Sequence, residues 1–162
     1  LNYYTRSVTQ ADPTVRPLGF RSVHQPQSQY TDTGWEVFPQ GLTDTIHQIR
    51  TRYGNLPLYI TENGCALPEP TSVDVDVFED PRRVDYLTTH LAAVARAIQE
   101  GANVQGYFAW SLLDNFEWAH GYSKRFGLVH CDHQSQRRTW KRSAKLYQQV
   151  IATNGRNVLA PR

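Results

Sequence analysis

The sequence predicts an α/β fold of parallel strands joined by helical crossovers. Two observations lead there. Apolar runs of strand length alternate with apolar stripes of helical spacing, in the order strand, helix, strand, helix, strand, helix. Polar and aromatic residues follow the strands each time: Asn2 and Tyr4, then Glu62 and Asn63, then residues 110–118. Catalytic groups collect at the C-terminal ends of strands in a (β/α)8 barrel and in a doubly wound sheet alike, so position leaves both architectures open.

The elements follow in order. Leu1-Asn2-Tyr3-Tyr4-Thr5 reads as the end of a buried strand. Residues 6–34 are rich in Gln, Pro and Thr without a sustained period and read as a long loop. Leu42, Ile46, Ile49 and Tyr53 fall at helical spacing, and Gly54 stops the run. Pro57 precedes a strand over 58–61, and a proline-containing loop spans 65–79. Pro81 suits the first turn of a second helix, whose stripe is Val84, Leu87, Leu91, Val94, Ala95 and Ile98, ended by Gly101. A strand over 104–110, a loop over 111–126 and a short strand over 127–130 come next. The basic run Arg137, Arg138, Lys141 and Arg142 beside Trp140 reads as a solvated helix start. The last helix covers 141–153 with Leu146, Val150 and Ile151 inward, and the tail after Gly155 is expected to fray.

Composition narrows the function classes. At 162 residues, 40% hydrophobic and 20% charged, the chain has the length and make-up of a globular domain with a core. A net charge of +2 with scattered basic residues points to neither nucleic acid nor an acidic membrane surface as partner. No apolar run is long enough to predict a membrane span. Cys65 and Cys131 make no disulfide framework and read as buried thiols, which favours a cytoplasmic setting. Four Trp and nine Tyr supply core packing first and, beside carboxylates, platforms for the apolar faces of sugar rings.

Glu62 carries the chemistry. It ends a strand that otherwise reads as buried, in Tyr59-Ile60-Thr61-Glu62-Asn63-Gly64. An ionised carboxylate there suits attack on an anomeric carbon if a second group protonates the leaving oxygen. A structural glutamate paired with an arginine fits the same pattern, and both readings stay open on spacing alone. Tyr4 is a candidate donor to Glu62, or a buried phenol with its hydroxyl satisfied. Glu117 and Trp118 sit among Phe116, Tyr122 and Phe126, as sugar-hydroxyl ligands or as a loop buried by its own aromatics. His130-Cys131-Asp132-His133 lacks a second Cys/His group, and its alternate residues point to opposite sides of a strand, so no metal and no cofactor are expected. Neither G-x-S-x-G nor G-x-x-x-x-G-K occurs.

Four ordered motifs go further. Leu1-Asn2-Tyr3-Tyr4-Thr5, the Glu62 motif, Trp110-Ser111-Leu112-Leu113-Asp114-Asn115-Phe116-Glu117-Trp118 and Gly121-Tyr122-Ser123-Lys124-Arg125-Phe126-Gly127-Leu128 together resemble glycoside hydrolase family 1, within it the β-glucosidases. The resemblance implies a retaining β-glycosidase on a (β/α)8 TIM barrel. Under it Glu62 matches the nucleophile and Tyr4 the tyrosine that orients it. Asn2 matches a site-lining asparagine, and Trp110 the floor of the glycone pocket. Glu117 matches the carboxylate for the 4- and 6-hydroxyls, Trp118 the indole at the 3-hydroxyl, and Phe126 an aromatic at the pocket edge. Relatives acting on 6-phospho-sugars have a small residue in place of Glu117, so an unphosphorylated β-glucoside or short β-linked oligosaccharide is the implied substrate, with galactoside or fucoside activity also compatible.

The departure is as informative. The family's acid/base glutamate lies in an upstream Asn-Glu-Pro motif that this chain does not contain. The resemblance makes residues 1–162 the C-terminal portion of one barrel domain, from the end of strand 6 through helix 8, incomplete as a barrel on its own. The expected partner is then the upstream part of the same barrel, and an oligomer is compatible. The chain alone is expected to be inactive. The alternative is a non-catalytic sugar-binding or scaffold derivative of the fold.

Overall fold

A computed structural model describes residues 1–156, so the tail expected to fray after Gly155 lies, apart from Arg156, outside the described residues. Strand β1 (Thr9–Ala11) pairs antiparallel with β2 (Phe20–Ser22), which gives the long polar loop a hairpin of its own. Helix α1 (Pro39–Tyr53) leads to β3 (Leu58–Asn63), and β4 (Val77–Phe78) precedes α2 (Pro81–Gln99). Then come β5 (Val104–Ala109), a 3-10 turn (Trp118–His120), β6 (Val129–Cys131), β7 (Arg138–Lys141) and α3 (Arg142–Thr153).

β3 and β5 run parallel, and a parallel bridge from Asn2 to Glu62 adds a third lane. One face of these lanes packs on α1 and α2 through Tyr3, Leu42, Ile46, Ile60, Val94 and Ala97. Each fully buried leucine or isoleucine there contributes about 1.5–3 kcal/mol. The other face is open: Tyr59 is 49% and Phe108 55% exposed. Parallel sheets are ordinarily covered on both faces, and the described residues close no barrel. No helix among them is long and apolar enough to cross a membrane.

α2 lies turned from its expected stripe. Arg83, Tyr86, Leu87, His90, Ala93, Val94 and Ala97 are buried, whereas Ile98 is 47% exposed. Two polar residues go inward, and of the two only Arg83 finds hydrogen-bond partners beyond its own helix; His90 Nε2 has none among the described residues. His90 stacks on Tyr86 at 3.8 Å, and its Nδ1–H donates to the Tyr86 carbonyl at 2.8 Å. Arg83 meets buried carboxylates. Leu91 and Ile98 instead line an open apolar cavity of about 340 Å³ with Tyr107, Tyr147 and Ile151. Ile151, expected inward on α3, is 67% exposed.

The basic run is also corrected. Residues 138–141 form a strand rather than a solvated helix start, and Lys141 is fully buried. Its ammonium meets Glu69 Oε2 at 2.7 Å and Asp114 Oδ1 at 3.1 Å. Arg125 pairs with Asp114 Oδ2 at 3.0 Å, and Arg83 pairs with Glu69 and, at 3.1 Å, with Asp80. Three buried cations thus balance three buried carboxylates, as the desolvation cost of each ion requires. Burial opposes the Asp114 charge, but Lys141, Arg125 and the Cys131 N–H hold its carboxyl below the usual range. Asp80 also accepts from Ser143 N at 2.8 Å and Ser143 Oγ at 2.5 Å, so a residue preceding α2 caps the N-terminus of α3.

Candidate active site

The end of β3 places Glu62. Ile60 and Asn63 are three apart yet both turn toward the helices, and the register break between them absorbs the odd residue. Asn63 is locked there: its amide donates to Tyr3 O at 2.8 Å and Tyr86 Oη at 3.0 Å, and its Oδ1 accepts from Tyr107 Oη at 2.7 Å. Glu62 is left to face the other way. Tyr3 enters the core, so Tyr4 alternates out of it. The Tyr4 hydroxyl donates to Glu62 Oε2 at 2.9 Å.

Asn2 lies beside this pair, its Oδ1 accepting from Thr61 Oγ1 at 2.5 Å. Trp110 follows β5, and its backbone N–H donates to Asn63 O at 2.9 Å. A Cβ on Gly64 would stand 1.7 Å from the Trp110 carbonyl oxygen, so only glycine permits this approach of the two strand ends. The Trp110–Ser111 peptide is cis.

The Tyr4 phenol is pushed well above its ordinary pKa. Burial is the largest cause, followed by its bond to Glu62 and the charges of Glu62 and Glu117. Tyr4 therefore stays a hydrogen-bond donor across any working pH. Glu117 lies within electrostatic reach of the pair.

Asp114 closes the neck of the loop that bears Glu117. It binds Arg125 at 3.0 Å, the Gly127 N–H at 2.8 Å and the Cys131 N–H at 3.2 Å. Glu117 N–H donates to Gly121 O at 2.7 Å, which tightens the loop tip. Glu117 is half-buried, and Trp118 stands 79% exposed with φ +44°. Phe126 is 2% exposed, with its ring edge-on to Tyr4 at 6.2 Å. The structure therefore gathers Tyr4, Glu62 and Phe126, sets Asn2 and Trp110 beside them, and leaves the Trp118 ring in the open.

Trp35 escaped the sequence reading. Its ring lies 5.2 Å from Tyr4 and 6.1 Å from Phe126, completing an aromatic trio. The usable signal was Gly34-Trp35-Glu36, an aromatic and an acid that close the long polar loop. Glu36 is buried and accepts two bonds from Arg6, at 2.8 Å each, and one from Ser28 Oγ at 2.6 Å.

Glu69, Asp114 and His130 bring donor atoms within 4.8 Å of one another, a spacing that suits a metal. The Lys141 ammonium already occupies the cation's place between the two carboxylates, and His130 Nε2–H donates to Pro70 O at 2.9 Å. This donor set serves an ion pair.

Comparison with known proteins gives one consistent result. The family described as glycosyl hydrolase family 1 matches residues 1–156. A bifunctional beta-D-glucosidase/beta-D-fucosidase of Bifidobacterium breve is 43% identical over 166 residues, covering 94% of this chain and 36% of that protein. A 6-phospho-beta-galactosidase of Lacticaseibacillus rhamnosus is 47% identical over 128 residues, 76% of this chain and 27% of that one. The solved family 1 β-glucosidase from Thermotoga maritima superposes with a TM-score of 0.88 at 42% identity, over 95% of this chain and 34% of that chain. The chain spans 27–36% of the length of these relatives.

Proposed function

The chain belongs to glycosyl hydrolase family 1 and folds as part of that family's (β/α)8 barrel; from that premise we propose that it supplies the nucleophile side of a retaining β-glucosidase. The observation that carries this reading is the 2.9 Å bond from Tyr4 to Glu62 at the ends of adjacent parallel lanes. A carboxylate held by a phenol whose ionisation is disfavoured by burial and nearby charge is oriented for attack, with one lone pair engaged.

The reaction is a double displacement. Glu62 attacks the anomeric carbon, the bond to the leaving oxygen breaks, and that oxygen takes a proton from a second carboxyl group. Water, deprotonated by the same group, then attacks the anomeric carbon and releases Glu62, so the sugar keeps its configuration. The second group must stand about 5–5.5 Å from Glu62 and be protonated while Glu62 is ionised. No residue of this chain takes that role in our reading. An upstream segment of the same barrel brings it, and residues 1–162 are the C-terminal portion of that domain. The open face of β3 and β5 supports this, as does an apolar cavity of about 330 Å³ lined by Leu112, Leu128, Trp140 and Ile151.

The substrate is an unphosphorylated β-glucoside or short β-linked oligosaccharide. Asn2, Trp110, Glu117 and Trp118 line its glycone, whereas Phe126, expected at the pocket edge, is 2% exposed and backs Tyr4 and Trp35 instead. Glu117 supports the choice, because a carboxylate facing a 6-phosphate repels it in a desolvated site. The matched Thermotoga maritima enzyme has been solved with deoxynojirimycin, a sugar-like inhibitor, in agreement with a carbohydrate pocket.

The test compares residues 1–162 alone with the assembled barrel, meaning this chain joined to the upstream two thirds of a family 1 β-glucosidase. The assembled barrel is expected to cleave an aryl β-glucoside and the isolated chain to be inert. Turnover by the isolated chain at the level of a complete relative would overturn the reading.

A further inference from the structure

Lys124 and Asp32 are 92 positions apart, and the function proposed above uses neither. Lys124 Nζ donates to the Asp32 carbonyl at 2.7 Å and pairs with Asp32 Oδ2 at 2.9 Å. Asp32 N–H donates to Ala66 O at 2.9 Å. Asp32 lies at the tip of a tight turn: Tyr30 bridges Glu36, Thr31 N–H donates to Trp35 O at 2.9 Å, and Trp35 N–H donates to Thr31 Oγ1 at 3.1 Å. That turn carries Trp35, whose ring rests on Tyr4 and Phe126. Through Asp32, one turn is therefore fastened to the loop after β3 and to the loop after β5.

We propose that Asp32 and Lys124 are positioning residues, a clasp that holds the Trp35 turn closed against Tyr4 and so steadies the Tyr4–Glu62 pair; the catalytic part of this inference rests on the function proposed above. Both side chains keep some solvent contact, at 20% exposure for Lys124 and 27% for Asp32. A pair so placed adds little to global stability. Its effect is local. The residues after Lys124 are buried and paired, with Arg125 in the buried ion network and Phe126 against Tyr4. The clasp thus ties the Trp35 turn to the best-anchored part of the site. Displacement of Trp35 removes the packing that fixes the Tyr4 ring, and with it the direction of the bond to Glu62.

The two contacts of Lys124 make the test specific. Lys124→Ala loses both, whereas Asp32→Ala loses the carboxylate and keeps the backbone carbonyl. In the assembled barrel, kcat/KM for an aryl β-glucoside is expected to fall about 10-fold in Lys124→Ala and about 3-fold in Asp32→Ala, with Tm almost unchanged. The double variant is expected to match Lys124→Ala, because the second substitution removes a contact already lost. Lys124→Arg restores most of the activity. A second readout needs no turnover: in protein labelled with 5-fluorotryptophan, the Trp35 fluorine resonance, assigned with Trp35→Phe, shifts in both single variants and returns in Lys124→Arg. Additive losses in the double variant, or an unmoved Trp35 resonance in Lys124→Ala, would overturn the clasp. Should the unsubstituted barrel show no turnover, the glucosidase reading fails, while the fluorine measurement still decides the clasp.

Discussion

The Tyr4 hydroxyl donates to Glu62 Oε2 at 2.9 Å across 58 positions of sequence, because the first lane of the sheet and β3 run parallel and end together. Tyr3 goes into the core and Asn63 is held by three hydrogen bonds, so the two residues between these anchors have little freedom to part.

Tyr4→Phe isolates the hydrogen bond. The ring keeps its packing on Trp35 and Phe126, so folding should be unaffected. A bond to a charged acceptor contributes about 1.5–3 kcal/mol, which corresponds to a loss of about 10- to 100-fold in kcat/KM. Steady-state kinetics on an aryl β-glucoside in the assembled barrel checks this, and an unchanged rate would show that Tyr4 does not orient Glu62.

Lys141→Met keeps the length of the side chain and removes its charge. Glu69 and Asp114 then lose a buried counter-ion. The expected destabilisation is about 3–5 kcal/mol, read from the shift of the urea unfolding midpoint. A loss below about 1 kcal/mol would mean that the ion network is not what joins β7 to the loops of the site.

Gly64→Ala forces a methyl group onto the Trp110 carbonyl. The neighbour is backbone, so the strand ends must separate. Overpacking of this kind costs about 1–3 kcal/mol, and the displaced Glu62 should lower kcat by more than 10-fold. Activity close to that of the parent would contradict the close approach.

Burial pushes the His90 imidazole down to about 4. The unfolded chain takes up a proton near pH 6.5, where the folded chain refuses it. Between those values the unfolded state binds more protons, so stability is full above about pH 6.5 and falls as pH drops toward 4, by about 1.4 kcal/mol per unit. Urea unfolding at pH 7, 6 and 5 measures the slope. His90→Phe should flatten that part of it, and equal slopes in the two proteins would contradict the assignment.

Much of the fold was legible because it obeys local periods. The helices at Pro39–Tyr53 and Pro81–Gln99 and the strands at Leu58–Asn63 and Val104–Ala109 carry clear apolar patterns bounded by proline and glycine. What stayed hidden depends on distant partners. Lys141 reads as solvated until Glu69 and Asp114 are placed against it, and α2 turns on its axis to bury Arg83 against Glu69. The site divides the same way. Glu62, Tyr4 and Glu117 sit in recognisable motifs, whereas Trp35 belongs to the site only because its turn folds back on Tyr4, which no sequence spacing encodes.

The central claim is that Glu62 is the nucleophile, and covalent trapping tests it most directly. The assembled barrel is incubated with an activated 2-deoxy-2-fluoro-β-glucoside, digested, and its peptides are weighed and fragmented. One fluoroglucosyl adduct is expected on the Tyr59-Ile60-Thr61-Glu62-Asn63-Gly64 segment, at Glu62, and none in Glu62→Gln. An adduct on another carboxylate, or turnover of an aryl β-glucoside that survives Glu62→Gln, would contradict the account.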